Sequence, residues 1–474
     1  MADQIPMIIG DERVASDESI EVRSPFDGSL VATVAKGDES HLDRAVAIAK
    51  ALHDGGPLPA HQRAAILDKA ARALAERVDE FAQVISAESA KPIKTARVEA
   101  ARAVDTVSFS AAVTRTLGGE LIPLDASSAG EGKVGFVKRV PIGVVAGISP
   151  FNFPLNLVCH KVAPAIAAGC PVVLKPASAT PLSALKLAEL LIDECDLPPG
   201  WLNVVPCAGS TANHLVEHPD VAMITFTGSP PVGWGIRARA ATKKVGLELG
   251  NNAPVVIEPD SDWETAAAKI KVAGFSHAGQ SCISTQRIYV HESIAADFTD
   301  TLVKEVEALV VGDPADDTTD VSALIDAGET DRVKEWIAEA TAAGATIVSG
   351  GDLTGDGVLR PTILTDVKDD MKVCALEVFG PVVAIATYTD YEDALKRAND
   401  SRYGLQAGVF TKDLGKALRA ADVLDFGGVL VNEVPTWRAD HMPYGGLRDS
   451  GNTREGPPYA VREMTEERMI VLQP

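Results

Sequence analysis

Apolar and polar positions change rhythm along the chain. Short pieces at Met7–Ile9, Ile20–Val22 and Leu30–Val34 read as strands, and an alanine-rich helical region follows. Leu42, Ala45, Val46 and Ala49 recur at helical spacing, as do Ile66, Ala70, Leu74 and Val78, so a helix is expected through each set. Pro92, suited to a first helical turn, opens another that runs to about Leu117. From Gly143 apolar strand-like runs alternate with helical ones. Val144–Ile148 precedes Leu155–Ala168, and Pro171–Leu174 precedes Leu182–Ile192; Leu202–Val205, Ala222–Phe226 and Val245–Leu249 continue the series. Strands that are apolar throughout and separated by helices predict a parallel sheet covered on both faces.

The alternation restarts at Pro254–Ile257 and continues through Arg287–Val290, Val382–Ala386, Gly408–Phe410 and Gly428–Val431, which predicts a second α/β unit. Between helix and first sheet, Glu120–Arg139 reads as a hairpin: Leu121–Leu124 and Gly135–Arg139 flank a polar stretch, and Met469–Leu472 can add a strand. A protruding hairpin points to oligomerisation, although a plain surface hairpin fits the pattern equally well.

The chain has 474 residues, 46% of them hydrophobic and 23% charged, which excludes intrinsic disorder and leaves ample core without disulfides. A net charge of −22 makes it a poor partner for nucleic acid or an anionic membrane. Met1–Asp11 lacks the basic start and apolar core of a secretory leader, and the longest apolar stretch, Val162–Leu174, is too short to span a bilayer. A cytoplasmic protein is expected. The cysteines, Cys159, Cys170, Cys195, Cys207, Cys282 and Cys374, form no C-x-x-C pair and no metal-ligand pattern with histidine, so no metal is expected.

Five segments carry candidate chemistry, and each also has an ordinary structural reading. Cys282, in Gly279-Gln280-Ser281-Cys282, sits in a polar segment that suggests an exposed turn and a nucleophilic thiolate; a buried structural cysteine is the alternative. Glu248 closes an apolar strand and is a candidate general base, or a solvated strand-end carboxylate. Asn152, in Ser149-Pro150-Phe151-Asn152-Phe153-Pro154, is fixed between prolines and aromatics, as an oxyanion donor or a helix-cap residue would be. Lys175 ends a buried strand where a nucleotide ribose or phosphate lies in such sheets, or where a solvated lysine is simply harmless. Phe226-Thr227-Gly228-Ser229 is a strand-to-helix turn that lets a ligand approach the backbone, and it is not the G-x-G-x-x-G fingerprint.

Together these segments resemble the aldehyde dehydrogenase superfamily. The likeness runs from Pro25-Phe26-Asp27-Gly28 to Glu463-Met464-Thr465 and includes Glu377-Val378-Phe379-Gly380-Pro381, Tyr403-Gly404-Leu405, Val431-Asn432 and Pro443-Tyr444-Gly445-Gly446-Leu447. The resemblance implies an α/β fold in three parts. These are a Rossmann-type cofactor domain (residues 1–118 and 141–249), an α/β catalytic domain (250–445) and a small β oligomerisation element (119–140 and 452–474). It implies a homodimer or homotetramer. It further implies that Cys282 adds to an aldehyde, that Asn152 holds the oxyanion, and that Glu248 activates the water that releases a carboxylic acid. For the cofactor it implies a site of Ser149, Pro150, Phe151, Gly209, Phe226, Gly228, Val232 and Leu249. Lys175 and Ser178 lie by the adenosine ribose, Ser229 by the pyrophosphate, Glu377 by the nicotinamide ribose and Phe379 by the nicotinamide ring.

A coenzyme A-acylating enzyme, a non-catalytic binding member and a thiol hydrolase pairing Cys282 with a histidine are the alternatives. Glu248 favours hydrolysis over acylation, because acylating members commonly lack it. Ser178 stands where NAD-selective members carry a glutamate, so NADP, with NAD as the second choice, is the expected cofactor. Trp437, Arg438 and His441 precede the Pro443–Gly446 turn, in the loop that lines the substrate mouth in the family it resembles; Arg438 and His441 are expected to receive a carboxylate or phosphate and Trp437 to wall the apolar side, and an Arg438 paired with Asp440 or facing solvent fits equally well. Asn251 and Tyr444 replace a frequent Gly and a frequent Phe and are not expected to touch the chemistry. The substrate is expected among those of the microbial lactaldehyde, glyceraldehyde-phosphate, succinate-semialdehyde and phosphonoacetaldehyde enzymes.

Overall fold

Both regions of alternating strand and helix build seven-stranded sheets, and a computed structural model describes residues 4–474. In the first sheet the strands Lys244–Glu248, Val221–Thr227, Val144–Ile148, Val172–Lys175 and Leu202–Val204 lie parallel in that order. Met7–Ile9 and Glu12–Val14 extend it antiparallel. The second runs Thr346–Ser349, Thr362–Thr365, Val382–Tyr388, Arg287–His291, Pro254–Ile257, Gln406–Phe410, Gly428–Val431, and only its first pair is antiparallel. The protein is an α/β fold, as its pattern predicts.

The central strands are apolar because helices cover both faces. Val144–Ile148, Val172–Lys175 and Pro254–Ile257 are buried at every position. Asn156–Ala168, packed between the first sheet and the helix Ile93–Thr116, is buried along its whole length, including Pro164.

Three boundaries differ from the pattern. The run from Ile66 to Val78 is two helices, Ala60–Glu76 and Val78–Ser89, because Arg77 at φ −123° and ψ 24° breaks the turn between them. Leu182–Ile192 is α-helical only to Glu189 and then widens into a π turn, Leu190–Glu194. Residues 452–463 pack on the first sheet and its helices rather than on the hairpin: Asn452 accepts from the Leu247 N–H at 2.9 Å, and Pro457–Glu463 lies against Asn156–Ala168. The third strand of the small sheet begins at Thr465; Thr465–Leu472 pairs antiparallel with Val134–Pro141, which pairs with Leu121–Ile122.

The loop that carries Asn152 is held from beneath by a buried ion pair. Lys91 pairs with Glu99, donates to the Asn152 carbonyl at 2.6 Å and lies 3.8 Å from the centre of the Phe153 ring. Glu99 in turn accepts from the N–H groups of Leu155 and Asn156 at 2.9 and 3.1 Å, at the start of the buried helix. Removing one member leaves the other charge without a partner in the interior. Lys91→Met is therefore expected to destabilise the protein by about 3–5 kcal/mol, read as a lower urea midpoint.

Candidate active site

The carboxyl ends of the first sheet face the segments that enter the second, and a cavity of about 640 Å³ opens between them. Each strand end contributes to its lining. Ser149, Pro150 and Phe151 follow Val144–Ile148; Lys175 and Ser178 follow the next strand; Gly209 follows Leu202–Val204. Phe226, Gly228, Ser229 and Val232 come from the turn into the helix Pro230–Arg239, and Leu249 from beyond Lys244–Glu248. Glu377 and Phe379 close the far side from the segment before Val382–Tyr388, with Phe379 edge-on to Phe151 at 5.9 Å between ring centres.

The lining fits a dinucleotide. The cavity meets the N-terminus of Pro230–Arg239, where backbone N–H groups and the helix dipole favour a phosphate. Among the described residues no carboxylate pairs with Lys175, whose ammonium is destabilised by burial and so gains from an anion. Ser178 donates to the Cys207 carbonyl at 3.1 Å. Glu377, pushed up to about 7 by burial, accepts from the Asn251 N–H at 2.9 Å.

Cys282, Glu248 and Asn152 line the same cavity. The loop to Cys282 turns through three successive left-handed residues, His277, Ala278 and Gly279, at φ 49°, 54° and 73°. Such a run is costly for residues with a Cβ and persists only where its surroundings fix it. At Gly279 no side chain fits: a Cβ there sits 2.1 Å from the Gly380 carbonyl oxygen. Asn152 donates its amide to the Gln280 carbonyl at 2.9 Å, which ties the loop after the first strand to the cysteine loop. Cys282 is half-buried rather than exposed, and burial pushes its thiol up to about 12. The other cysteines are buried.

The sequence profile of the aldehyde dehydrogenase family matches residues 13–470. The chain belongs to the aldehyde dehydrogenase family. It is an oxidoreductase that converts an aldehyde to a carboxylic acid with NAD(P). It is 46% identical to a 3-sulfolactaldehyde dehydrogenase of Priestia aryabhattai over 99% of this chain and 98% of that one. Among solved structures, aldehyde dehydrogenase 21 from Physcomitrella patens, in complex with the reaction product succinate, superposes with a TM-score of 0.96 at 40% identity, covering 100% of this chain and 98% of that one. The NADP-dependent glyceraldehyde-3-phosphate dehydrogenase of Bacillus halodurans, complexed with NADP, gives 0.96 at 36% identity, with 99% of each chain covered.

Behind Glu248 this aldehyde dehydrogenase buries a cluster of charges that the sequence pattern does not single out. Lys161 donates to the Thr227 hydroxyl at 2.7 Å and lies 4.0 Å from Glu455. Arg438 pairs with Glu455 at 3.0 Å and reaches His160, which meets Asp440 at 3.0 Å; Arg102 pairs with Asp440 at 2.8 Å. Glu455 thus keeps its charge, while neither oxygen of Glu248 has a hydrogen-bond partner. Burial, with Glu455 beside it, raises Glu248 well above the ordinary carboxyl range. The signal for this cluster was present: His160 and Lys161 are ionisable positions in a largely apolar helix, where an unpartnered polar or charged group is costly.

Arg438 is not the free cation expected at the substrate mouth. Its side chain is 4% exposed and matched by Glu455. Trp437 is exposed, and His441 is exposed and stacked on Phe109 at 4.4 Å; none of the three lines the cavity. Tyr444 corrects the opposite way. Expected to be a bystander, its hydroxyl lies 2.8 Å from the Cys282 sulfur. Ile325, Asp326, Glu329 and Arg332 also line the cavity, from the start of the helix Ala327–Ala342, and no local motif marks them.

Proposed function

We propose that Cys282 is the nucleophile, Asn152 an oxyanion donor and Glu248 the water base, in an enzyme that prefers NADP and oxidises a short anionic aldehyde. The convergence of thiol, amide and partnerless carboxyl in a nucleotide-shaped cavity carries this reading. The Cys282 thiolate adds to the carbonyl carbon, and the Asn152 amide, already aimed at the cysteine loop, meets the resulting oxyanion. When bound, NAD(P) accepts the hydride that leaves the substrate carbon. The acyl group is then a thioester on Cys282. Glu248 takes a proton from the water that hydrolyses it; a carboxyl with a raised proton affinity is the stronger base for that task once ionised.

Cys282→Ala is expected to abolish aldehyde oxidation. Glu248→Gln is expected to retain a burst of reduced cofactor while steady turnover falls by roughly 10²–10³, since the acylating half does not need the base. Rapid-mixing absorbance at the reduced nicotinamide band checks both, and normal steady turnover in the Glu248 variant removes it from the mechanism.

The cofactor preference rests on charge. Lys175 supplies a cation and Ser178 a neutral hydroxyl at the strand end, and among the described residues no carboxylate pairs with Lys175. Ser178→Glu is expected to lower kcat/KM for NADP by about ten- to a hundredfold more than for NAD, the scale of a lost charge-assisted contact plus repulsion. Strict NAD dependence of the unaltered enzyme contradicts the assignment.

For the substrate, two similar proteins are named for 3-sulfolactaldehyde and glyceraldehyde 3-phosphate and a third is in complex with its reaction product succinate, and all three of these compounds carry an anion. The pairing strands of the small sheet we assign to a subunit contact in a homodimer or homotetramer. Against a panel of sulfonated, phosphorylated, carboxylated and neutral aldehydes of matched length, the anionic ones are expected to give kcat/KM values at least tenfold higher. Equal values across the panel overturn the anionic class.

A further inference from the structure

Tyr444 is buried, packs against Ile283 and Leu405, and among the described residues its hydroxyl has one partner, the Cys282 sulfur at 2.8 Å. On its other side the Arg438 guanidinium lies 3.8 Å from the ring centre, held there by Glu455 and His160. A cation on the face of a phenol draws density from the ring and makes the O–H a better donor. We propose that Tyr444 is a further catalytic residue of this enzyme, whose hydroxyl donates to the Cys282 thiolate and sets how much of it exists at neutral pH. The proposal rests on Cys282 being the nucleophile.

Ionisation breaks the S–H bond, leaves the electron pair on sulfur and releases the proton to solvent in the cavity. The tyrosyl proton stays on its oxygen. Burial holds the phenol well above its ordinary range, so it remains a donor while the thiol loses its proton. The thiol needs such help, because burial, the largest influence on it, opposes ionisation. Burial raises it, Glu377 and Glu248 raise it further, and besides Tyr444 only Arg438, acting through space, lowers it. A phenylalanine at this position provides the packing without the donor.

The hydrogen bond has two opposed effects. A bond to an ionised group lowers the thiol by about one to two pH units, which raises the thiolate population by about ten- to a hundredfold. The same bond makes each thiolate less nucleophilic, by about three- to tenfold at a Brønsted slope near one half. Population wins whenever the thiol titrates above the working pH, leaving a net gain of about three- to tenfold.

The test is the rate of Cys282 alkylation by iodoacetamide between pH 6 and 9, with the modified residue located by mass spectrometry and residual aldehyde oxidation followed in parallel. Tyr444→Phe is expected to be alkylated about three- to tenfold more slowly throughout this range, which lies below the thiol's inflection, and its burst of reduced cofactor to slow by the same factor. Replacing Tyr444 by 3-fluorotyrosine, an isosteric and stronger donor, is expected to speed alkylation. A rate in Tyr444→Phe equal to or above that of the unaltered enzyme overturns the role of Tyr444, as does no change with 3-fluorotyrosine. Full oxidation activity after complete alkylation of Cys282 overturns instead the nucleophile assignment on which it rests.

Discussion

The strand Lys244–Glu248 forms one edge of the first sheet, and its open side is covered by chain that returns from the second. The Leu249 N–H donates to the Ser450 carbonyl at 3.0 Å, the Asn452 N–H donates to the Leu247 carbonyl at 3.1 Å, and Glu248 bridges to Gly451. The same returning segment doubles back on itself, with the Glu455 N–H bonded to the Tyr444 carbonyl at 2.6 Å. This seam brings together Glu248 from the first sheet, Tyr444 from the return and Cys282 from the approach to the second sheet. It demands close backbone approach: a Cβ at Gly445 sits 2.0 Å from the Thr453 carbonyl oxygen and 2.8 Å from a Glu248 carboxyl oxygen. That contact explains Gly445, and at Gly446 a Cβ would sit 2.4 Å from the Ser450 Cβ.

The seam also encloses charge. Glu248, Glu455, Lys161, Arg438, His160 and Asp440 are all buried, and the desolvation of each must be offset by a neighbour. Their pairing is unequal. Asp440 is held ionised by Arg102 and His160, and Glu455 by Arg438, so the unmatched member is Glu248. A hydrophobic replacement of such a cluster is often as stable. What it provides here is a carboxyl and a thiol whose proton affinities differ from those in water, each tuned by position rather than by residue type.

Net acidity and a site for an anionic cofactor coexist because the two act at different ranges. The charge of −22 is spread over a surface where solvent screens it within about a Debye length. Lys175 and the N-terminus of Pro230–Arg239 act at contact distance inside the cavity, where screening is weak.

Periodicity alone determined the two largely parallel sheets, because burial on both faces leaves an unbroken apolar run that no other element needs; the exposed last strand was legible only at Met469–Leu472, and its start at Thr465 was not. Strand-end positions of Asn152, Lys175 and Glu248 followed from the same pattern, since ligands gather at carboxyl ends of parallel sheets. Helix ends were less legible: Arg77 and the turn after Glu189 break helices for reasons of backbone geometry that a three- or four-residue spacing does not record. The roles of Arg438 and Tyr444 were decided only by the tertiary structure. In the sequence Arg438 is a loop cation and Tyr444 an aromatic in a turn. In the fold Glu455, seventeen positions beyond Arg438, pairs with its guanidinium, and the sulfur of Cys282, 162 positions before Tyr444, lies 2.8 Å from its hydroxyl. Contacts across such separations depend on how the returning chain crosses between the two sheets, and no local spacing encodes that crossing.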